Sequence, residues 1–395
     1  MPLALLALAL GTFGIGTTEF VIMGLLPQVA GDLGVTVSGA GHLVSAYAAG
    51  VVVGAPLLAV ATVKLPRRLV LMALMAVFAA GNVASALAPG MTSLLVVRFL
   101  TGLPHGAFFG LASVTAAAMV GRQRRATAVS RVFLGLTVAN VVGVPLATLL
   151  GQAAGWRATF ALVGVIGVVA LAAVAAFVPA AEPTATGPGA LRTEVATLRH
   201  PQVVLSLLAV VFGFGAMFAC YSYVTPMLTE VGGFSAATVT VLLAVVGLGM
   251  TAGSLLGGRA ADRAPLATLY TCLVALAVVL VSFTVTVQHP VLAVLSLFGA
   301  GMFSLALGPA IQTRILDLVG EAPTMASAAI QSASNIANSL GAWLGGMVIA
   351  AGLGYLAPAI VGSVLAVVGL AVLALSGGLE VRVRRQEAVR ALAAA

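Results

Sequence analysis

The chain reads as a succession of long apolar runs broken by short polar turns. About 20 apolar residues are needed to cross a bilayer core. Runs of that order fall at 3–27, 39–62, 69–88, 92–120, 126–154, 157–178, 202–229, 237–258, 266–287, 291–316, 325–352 and 357–378. The pattern predicts an all-α integral membrane protein with twelve transmembrane helices. One stretch departs from it: residues 179–201 (PAAEPTATGPGALRTEVATLRHP) are polar and rich in Pro and Gly, as linkers are. Its second half, Ala190–His200, reads either as a short amphipathic helix on the membrane surface or as a plain tether. Six runs lie on each side of it. The expected organisation is two pseudo-symmetric six-helix bundles, 1–178 and 202–378, joined by a cytoplasmic linker and followed by a cytoplasmic tail at 379–395. The turn after the second run (AVATVKLPRRLVL) echoes the turn after the eighth (GGRAADRAPLATL), which supports an internal duplication.

Composition removes the soluble alternatives. Hydrophobic residues make up 61% of the 395 and charged residues 7%, with a mean hydropathy of +1.19. Ordinary soluble domains are about 45–50% apolar and about 25% charged, so little chain remains for a soluble domain. The first run lacks a basic leader and a clean cleavage site, and reads as a span rather than a removed signal. If the N-terminus is cytoplasmic, all but Arg98 and Arg157 of the 18 basic residues fall in inner turns or the tail, Arg314 included. That bias predicts an even number of spans in the plasma membrane with both termini cytoplasmic. The net charge of +8 is then a topology signal. A nucleic-acid partner would need the basic residues gathered on one soluble face. Cys220 and Cys272 lie in different runs without metal or redox spacing and read as small packing residues.

Polar residues inside the runs are the candidates for chemistry. Glu19 sits in LALLALALGTFGIGTTEFVIMGLLP, where an ionised carboxylate costs about 2.5–3.5 kcal/mol even on lenient insertion scales. It reads either as a group facing a wet cavity that handles protons or substrate, or as a tie between helices. Arg98, Gly102, His105 and Phe109 share one face of the fourth run. At 1.5 Å per residue, Arg98 lies ~9 Å and Glu19 ~12 Å below the outer surface, a common level at which they can pair. His105 is deeper, either a packing group or a proton or substrate contact. Asp32 is the next acid along the chain. All four asparagines, Asn82, Asn140, Asn335 and Asn338, fall inside runs and are candidates to line a substrate cavity. Gln331, Asn335 and Asn338 form one amide stripe that either glues helices or lines a cavity facing His105 and Asn140. Phe214, Phe218 and Tyr221 form an aromatic stripe on the seventh run, read as core or as the apolar wall of that cavity. No metal-binding, nucleotide-binding or triad motif is present, so no enzyme activity, cofactor or direct ATP drive is expected.

Several segments carry a family resemblance: GTTEFVIMGLLP around Glu19, AGHLVSAYAAGVVVGAP, RFLTGLPHGAFFG, TVANVVGVPLATLLGQ and GWRATF. On these the chain resembles the major facilitator superfamily over nearly its whole length. It is most similar to the twelve-span drug:proton antiporter group, including the arabinose-inducible efflux permeases and actinobacterial chloramphenicol-resistance exporters. The resemblance implies that RxxxG at Arg98–Gly102 serves proton coupling together with Glu19 and Asp32. It implies that NVVGVPLATLLG is the antiporter motif of the fifth helix, with Val144 before Pro145 where Gly is usual. The inner-gate loop motif is degraded at 59–68, where Val63 holds the Asp position and Pro66 the second Gly, leaving Lys64, Arg67 and Arg68. The second copy, GRAADR, keeps Asp262 and Arg263.

The expectation is a monomeric antiporter that exports a small, largely uncharged or mildly amphipathic compound against protons. An antibiotic such as chloramphenicol and a sugar are both candidate substrates, and the proton gradient is the energy source. Two alternatives stay open: a proton-coupled uptake symporter for a sugar or metabolite, and a non-transporting membrane sensor on the same scaffold.

Overall fold

The computed structural model describes residues 2–62, 65–120, 125–180, 200–319 and 323–394. Among them there are helices and turns and no strand. The helices are α1 (Pro2–Leu33), α2 (Val37–Ala61), α3 (Arg67–Ala86), α4 (Met91–Ala118), α5 (Arg125–Val138), α6 (Val144–Ala154), α7 (Trp156–Phe177), α8 (Pro201–Tyr221), the single turn α9 (Val224–Pro226), α10 (Ala236–Ala261), α11 (Pro265–Thr286), α12 (Pro290–Val319), α13 (Pro323–Ala350) and α14 (Ala357–Ala394). Eleven spans are long and apolar enough to cross a bilayer, and the 28-residue α13 packs among them as a further long helix.

Local chemistry sets the breaks. Gly34 at φ 63° ends the turn after α1, and the Thr36 hydroxyl caps α2 by accepting from the Gly39 N–H at 3.0 Å. Ser235 caps α10 in the same way through the Thr238 N–H. Between α5 and α6 the chain makes one π turn, Ala139–Gly143, which closes with the Val144 N–H on the Ala139 carbonyl. Pro145 has no N–H to give to the regular ladder, and a local change of register accommodates that. Two spans differ from the sequence expectation. The first run continues through Pro27 to Leu33, and the last does not stop at 378, since α14 runs to Ala394. The linker-helix expectation for Ala190–His200 lies outside the described residues except at its last position.

Glycine brings the helices together, because packing rather than hydrophobicity drives association in lipid. A Cβ on Gly50 would lie 2.0 Å from the Phe99 carbonyl oxygen, one on Gly54 2.1 Å from that of Leu103, and one on Gly102 2.2 Å from that of Tyr47. Helices α2 and α4 therefore touch backbone to backbone. The same three contacts recur between α10 and α12, at Gly249 with Phe298, Gly253 with Met302 and Gly301 with Val246. The offset is constant at 199 residues (50 to 249, 54 to 253, 102 to 301). A second pair follows suit at an offset of 206: Gly135 against the Ala9 carbonyl between α5 and α1, and Gly341 against the Gly215 carbonyl between α13 and α8. The fold is two pseudo-symmetric sets of membrane helices whose internal contacts are duplicated residue by residue.

These contacts predict a sharp contrast. Gly54→Ala forces α2 from α4 and lowers the melting temperature of the detergent-purified protein, by the equivalent of about 1–3 kcal/mol of overpacking. Gly110→Ala on α4, where a Cβ meets open space, leaves it unchanged. Equal melting temperatures for the two variants would refute the assignment.

Candidate functional site

Arg98 is fully buried at the centre of the first set of helices. Its Nη1 donates to the Thr18 hydroxyl at 3.1 Å and its Nη2 to the Thr18 carbonyl at 3.2 Å. The guanidinium lies over the Tyr47 ring, 4.3 Å from the centroid, with Phe160 at 5.4 Å. The Thr18 hydroxyl in turn donates to the Asn82 Oδ1 at 2.6 Å, and the Asn82 amide donates to the Phe78 carbonyl. Alongside, the Tyr47 hydroxyl and His105 Nδ1 share a hydrogen bond of 3.2 Å, and the His105 ring packs on Phe109 at 5.1 Å. This spine ties α1, α2, α3 and α4 together.

Glu19 is the next residue after Thr18 and points elsewhere. Successive helical positions differ by about 100°, so fixing Thr18 inward turns Glu19 toward the second set of helices. There the Asn338 Nδ2 donates to the Glu19 Oε1 at 3.2 Å. Glu19 is 8% exposed and Asn338 fully buried. The Oδ1 atoms of Asn335 and Asn338 are buried with no donor. Phe20 stacks on Phe218 at 6.2 Å and 11°, with Tyr221 at 6.1 Å, forming an aromatic wall beside the carboxyl. Phe214 is partly buried against the same core, and a Cβ at Gly308 would touch its ring tip.

Both sets of helices are joined from this level toward the end of the molecule away from the chain termini. The Thr225 hydroxyl donates to the Met23 carbonyl, Ser38 to Gly346, Ser45 to Ser339 and Ser339 back to Ser45. Tyr223 donates to the Ala342 carbonyl, and its hydroxyl fills the space where Gly41 and Gly346 lack a Cβ. On the other seam, the Gln152 amide donates to the Ala236 carbonyl, and Gly247 of α10 sits on the Asn140 carbonyl at the π turn. Residues 8–342 match the Major Facilitator Superfamily.

The chain belongs to the Major Facilitator Superfamily. It is 43% identical over 372 residues to the inner membrane transport protein YdhP of Escherichia coli K12, covering 93% of this chain and 94% of that one. It is 37% identical over 357 residues to a chloramphenicol resistance protein of Streptomyces lividans, covering 90% of each. Its fold matches the crystal structure of a bacterial homologue of the human lysosomal transporter Spinster, in an inward-facing and occupied conformation. The TM-score is 0.76 at 17% identity, over 94% of this chain and 96% of that one. The chain is a multi-pass membrane transporter of this superfamily and not an enzyme.

Within this transporter several sequence expectations change. Glu19 and Arg98 form no ion pair: the Arg98 Nη1 and Nη2 groups donate to Thr18, and the carboxyl meets Asn338. Asn335 and Asn338 meet Gln331 and Glu19, not His105 and Asn140: the Asn335 amide donates to the Gln331 carbonyl at 3.0 Å. Asn82 is fully buried between α1 and α3, where its Oδ1 accepts from the Thr18 hydroxyl and its amide donates to the Phe78 carbonyl. Asp32 is a surface group at the far end of α1, ion-paired with Arg157 and accepting from the Trp156 Nε1–H at 3.0 Å. It ties the Gly155 turn to α1, well away from Glu19. Of the expected inner gate, Lys64 lies outside the described residues. Arg67 and Arg68 begin α3, with Arg68 donating to the Ala175 carbonyl, while Asp262 and Arg263 are exposed beyond α10.

Sequence reading missed the hydroxyls of the seam and the buried cation of the second set. Ser38, Ser45 and Tyr223 gave no signal beyond neighbouring small residues. Arg314, counted as a loop charge, is 6% exposed on α12. It donates to Ser206, Gln202 and Ser376 and pairs with Glu380 at 3.3 Å.

Cysteine reactivity checks this placement. In a background with Cys220 and Cys272 replaced by Ala, Gln331→Cys, half-buried on the stripe, reacts with a small hydrophilic thiol reagent. Asn335→Cys and Asn338→Cys react more slowly, and Asn82→Cys does not react. A reactive position 82 or an inert position 331 overturns the assignment of the wet face.

Proposed function

We propose that this transporter exports a small amphipathic molecule in exchange for protons, with Glu19 as the group that carries the proton. The reading rests on one observation: the Glu19 carboxyl takes its hydrogen bond from Asn338, a residue of the other set of helices. Any movement that parts the two sets at this level removes that donor. A buried carboxylate without a donor is costly, so proton uptake and helix separation are linked thermodynamically. Each ~1.4 kcal/mol of that linkage shifts the balance between the two arrangements tenfold.

The surroundings favour the chemistry of the cargo. Free acceptors on Asn335 and Asn338 suit hydroxyl or amide N–H donors, and the Phe20, Phe218 and Tyr221 rings suit an apolar or aromatic part. A relative is named for chloramphenicol resistance, which makes that compound the first to assay. In this reading the chain termini face the cytoplasm, in keeping with the basic bias of that side, and the protein works as a monomer. Substrate enters between the two sets from the terminal side while the hydroxyl seam seals the other.

Glu19→Gln tests the coupling. Gln keeps the acceptor oxygen for Asn338 but holds no transferable proton. In proteoliposomes, efflux driven by a pH gradient is lost, by about 100-fold as for other essential proton-transfer groups. Exchange of labelled for unlabelled substrate, which needs no net proton movement, persists. Gradient-driven efflux at the wild-type rate in the Gln variant sinks the proposal.

A further inference from the structure

Tyr223 lies where the two sets meet at the end away from the chain termini, and it is 1% exposed. Pro226 has no N–H to give to the Ser222 carbonyl four residues back, which favours a break there. Ser222 and Tyr223 accordingly fall between α8 and α9, with Tyr223 at φ −118° and ψ 18°. The ring enters a socket built by both sets. On the α13 side its hydroxyl donates to the Ala342 carbonyl at 2.9 Å, and a Cβ on Gly345 would lie 3.0 Å from its Cε2 and 3.1 Å from its Cδ2. On the α2 side a Cβ on Gly41 would run into the hydroxyl oxygen and lie 2.7 Å from Cζ and 2.9 Å from Cε1. One edge of the ring therefore rests on α13 and the other on α2. The Ser38 hydroxyl of α2 closes the rim by donating to the Gly346 carbonyl at 2.7 Å.

The duplication shows that the scaffold itself does not ask for these glycines. The offset of 199 carries Gly41 onto Thr240, and the offset of 206 carries Asn140 onto Gly346. Thr240 and Asn140 are both buried and both carry side chains. On their seam the Thr240 hydroxyl bonds to Gln152, whose amide donates to the Ala236 carbonyl. Glycine at 41, 345 and 346 is what an aromatic ring needs in order to sit between two helix backbones.

We propose that Tyr223 is the latch of this end: seated between Gly41 and Gly345, it holds α2 against α13 and sets how often the two sets part. A close fit gains dispersion contact along both ring edges, and all of it on the α2 side is lost when α2 withdraws. The ring cannot yield to a larger side chain at 41, because its far edge already touches Gly345 and its hydroxyl is bound to Ala342. Helix α2 has to move instead. The latch rests on the reading that the sets part at this end during transport, and it is independent of which ion drives the exchange.

The test is a distance measurement on the full chain purified in detergent, with Cys220 and Cys272 replaced by Ala. Spin labels at Leu87→Cys, beyond α3, and Leu353→Cys, beyond α13, report the separation of the sets at this end; the two positions are 76% and 67% exposed. Gly41→Ala raises the ratio of long to short distances about tenfold, as overpacking of a buried contact does. Tyr223→Ala removes the ring and also raises the ratio. In that background Gly41→Ala adds less than about twofold, because the atoms it would meet are gone. Gly110→Ala, in open space, leaves the ratio unchanged. A wild-type ratio in Gly41→Ala overturns the latch, and so does an equal rise with and without the Tyr223 ring. Distances that respond to pH through Glu19 but not to Gly41→Ala overturn the latch and keep the proton exchange. Distances that respond to Gly41→Ala through Tyr223 but not to pH keep the latch and count against the proton. Only short distances in every variant and at every pH overturn both the latch and the parting of the sets.

Discussion

The bidentate grip of Arg98 on Thr18 is the constraint on which the rest of this transporter turns. A guanidinium buried to 0% exposure has to be satisfied inside the protein, and it takes both the hydroxyl and the carbonyl of one residue on α1. Two bonds to one residue fix the rotation of that helix as well as its position. With Thr18 facing Arg98 and Asn82, Glu19 must face away from the first set, onto Asn338. The carboxyl is thus aimed by its neighbour. The aromatic rings of Tyr47 and Phe160 cover the guanidinium, and the Glu19 carboxyl takes its hydrogen bond from Asn338.

The two halves share a scaffold and divide the chemistry. The glycine contacts of α2 with α4 and of α10 with α12 superpose at one offset, so backbone packing was duplicated without drift. The polar side chains were not. At that offset Arg98 corresponds to Leu297, and Thr115 to Arg314. Close backbone approach tolerates only glycine or another small residue, which holds those positions in both copies. A side chain pointing into its own half meets surroundings that differ between halves, and each half has settled its buried charge differently: Arg98 with hydroxyl, carbonyl and rings, Arg314 with Glu380 and amides.

The helical membrane architecture and its two sets were legible because apolar run length and glycine content are properties of single segments. Glu19 stood out because an acid in such a run is costly wherever it points. Its partner was not legible, since helical periodicity tells which residues share a face and not which face meets which helix. Asn335 and Asn338 share one stripe, of which Asn338 reaches Glu19 on α1 while the Asn335 amide stays on its own helix. Asn82 carried the same sequence signal as Asn338 and proved to be internal glue. Asp32 was misread for a related reason: one acid near a run end looks like another until Arg157 and Trp156, more than a hundred residues later, return beside it. The seam hydroxyls were invisible because serine and tyrosine in a helix bond to their own backbone as readily as to a neighbour's.

What remains is why such a molecule can open at all. Within each set, helices meet through glycine, backbone against backbone, and parting them forfeits dispersion contacts along whole faces. Between the sets, the bonds are hydroxyl or amide donors on carbonyl oxygens, Thr225 on Met23, Ser38 on Gly346, Tyr223 on Ala342 and Gln152 on Ala236. Interhelical polar contacts of this kind average about 0.6 kcal/mol in membranes, and each carbonyl keeps its helical bond when the hydroxyl leaves. Hydrogen bonds across the seam therefore cost little to break singly, alongside the glycine and apolar packing that also crosses it. Among the described residues that bond across it, Glu19 is the one carboxyl. The proposed exchange acts through this carboxyl, because a change in its protonation is a change of charge at a boundary whose other hydrogen bonds are between neutral groups.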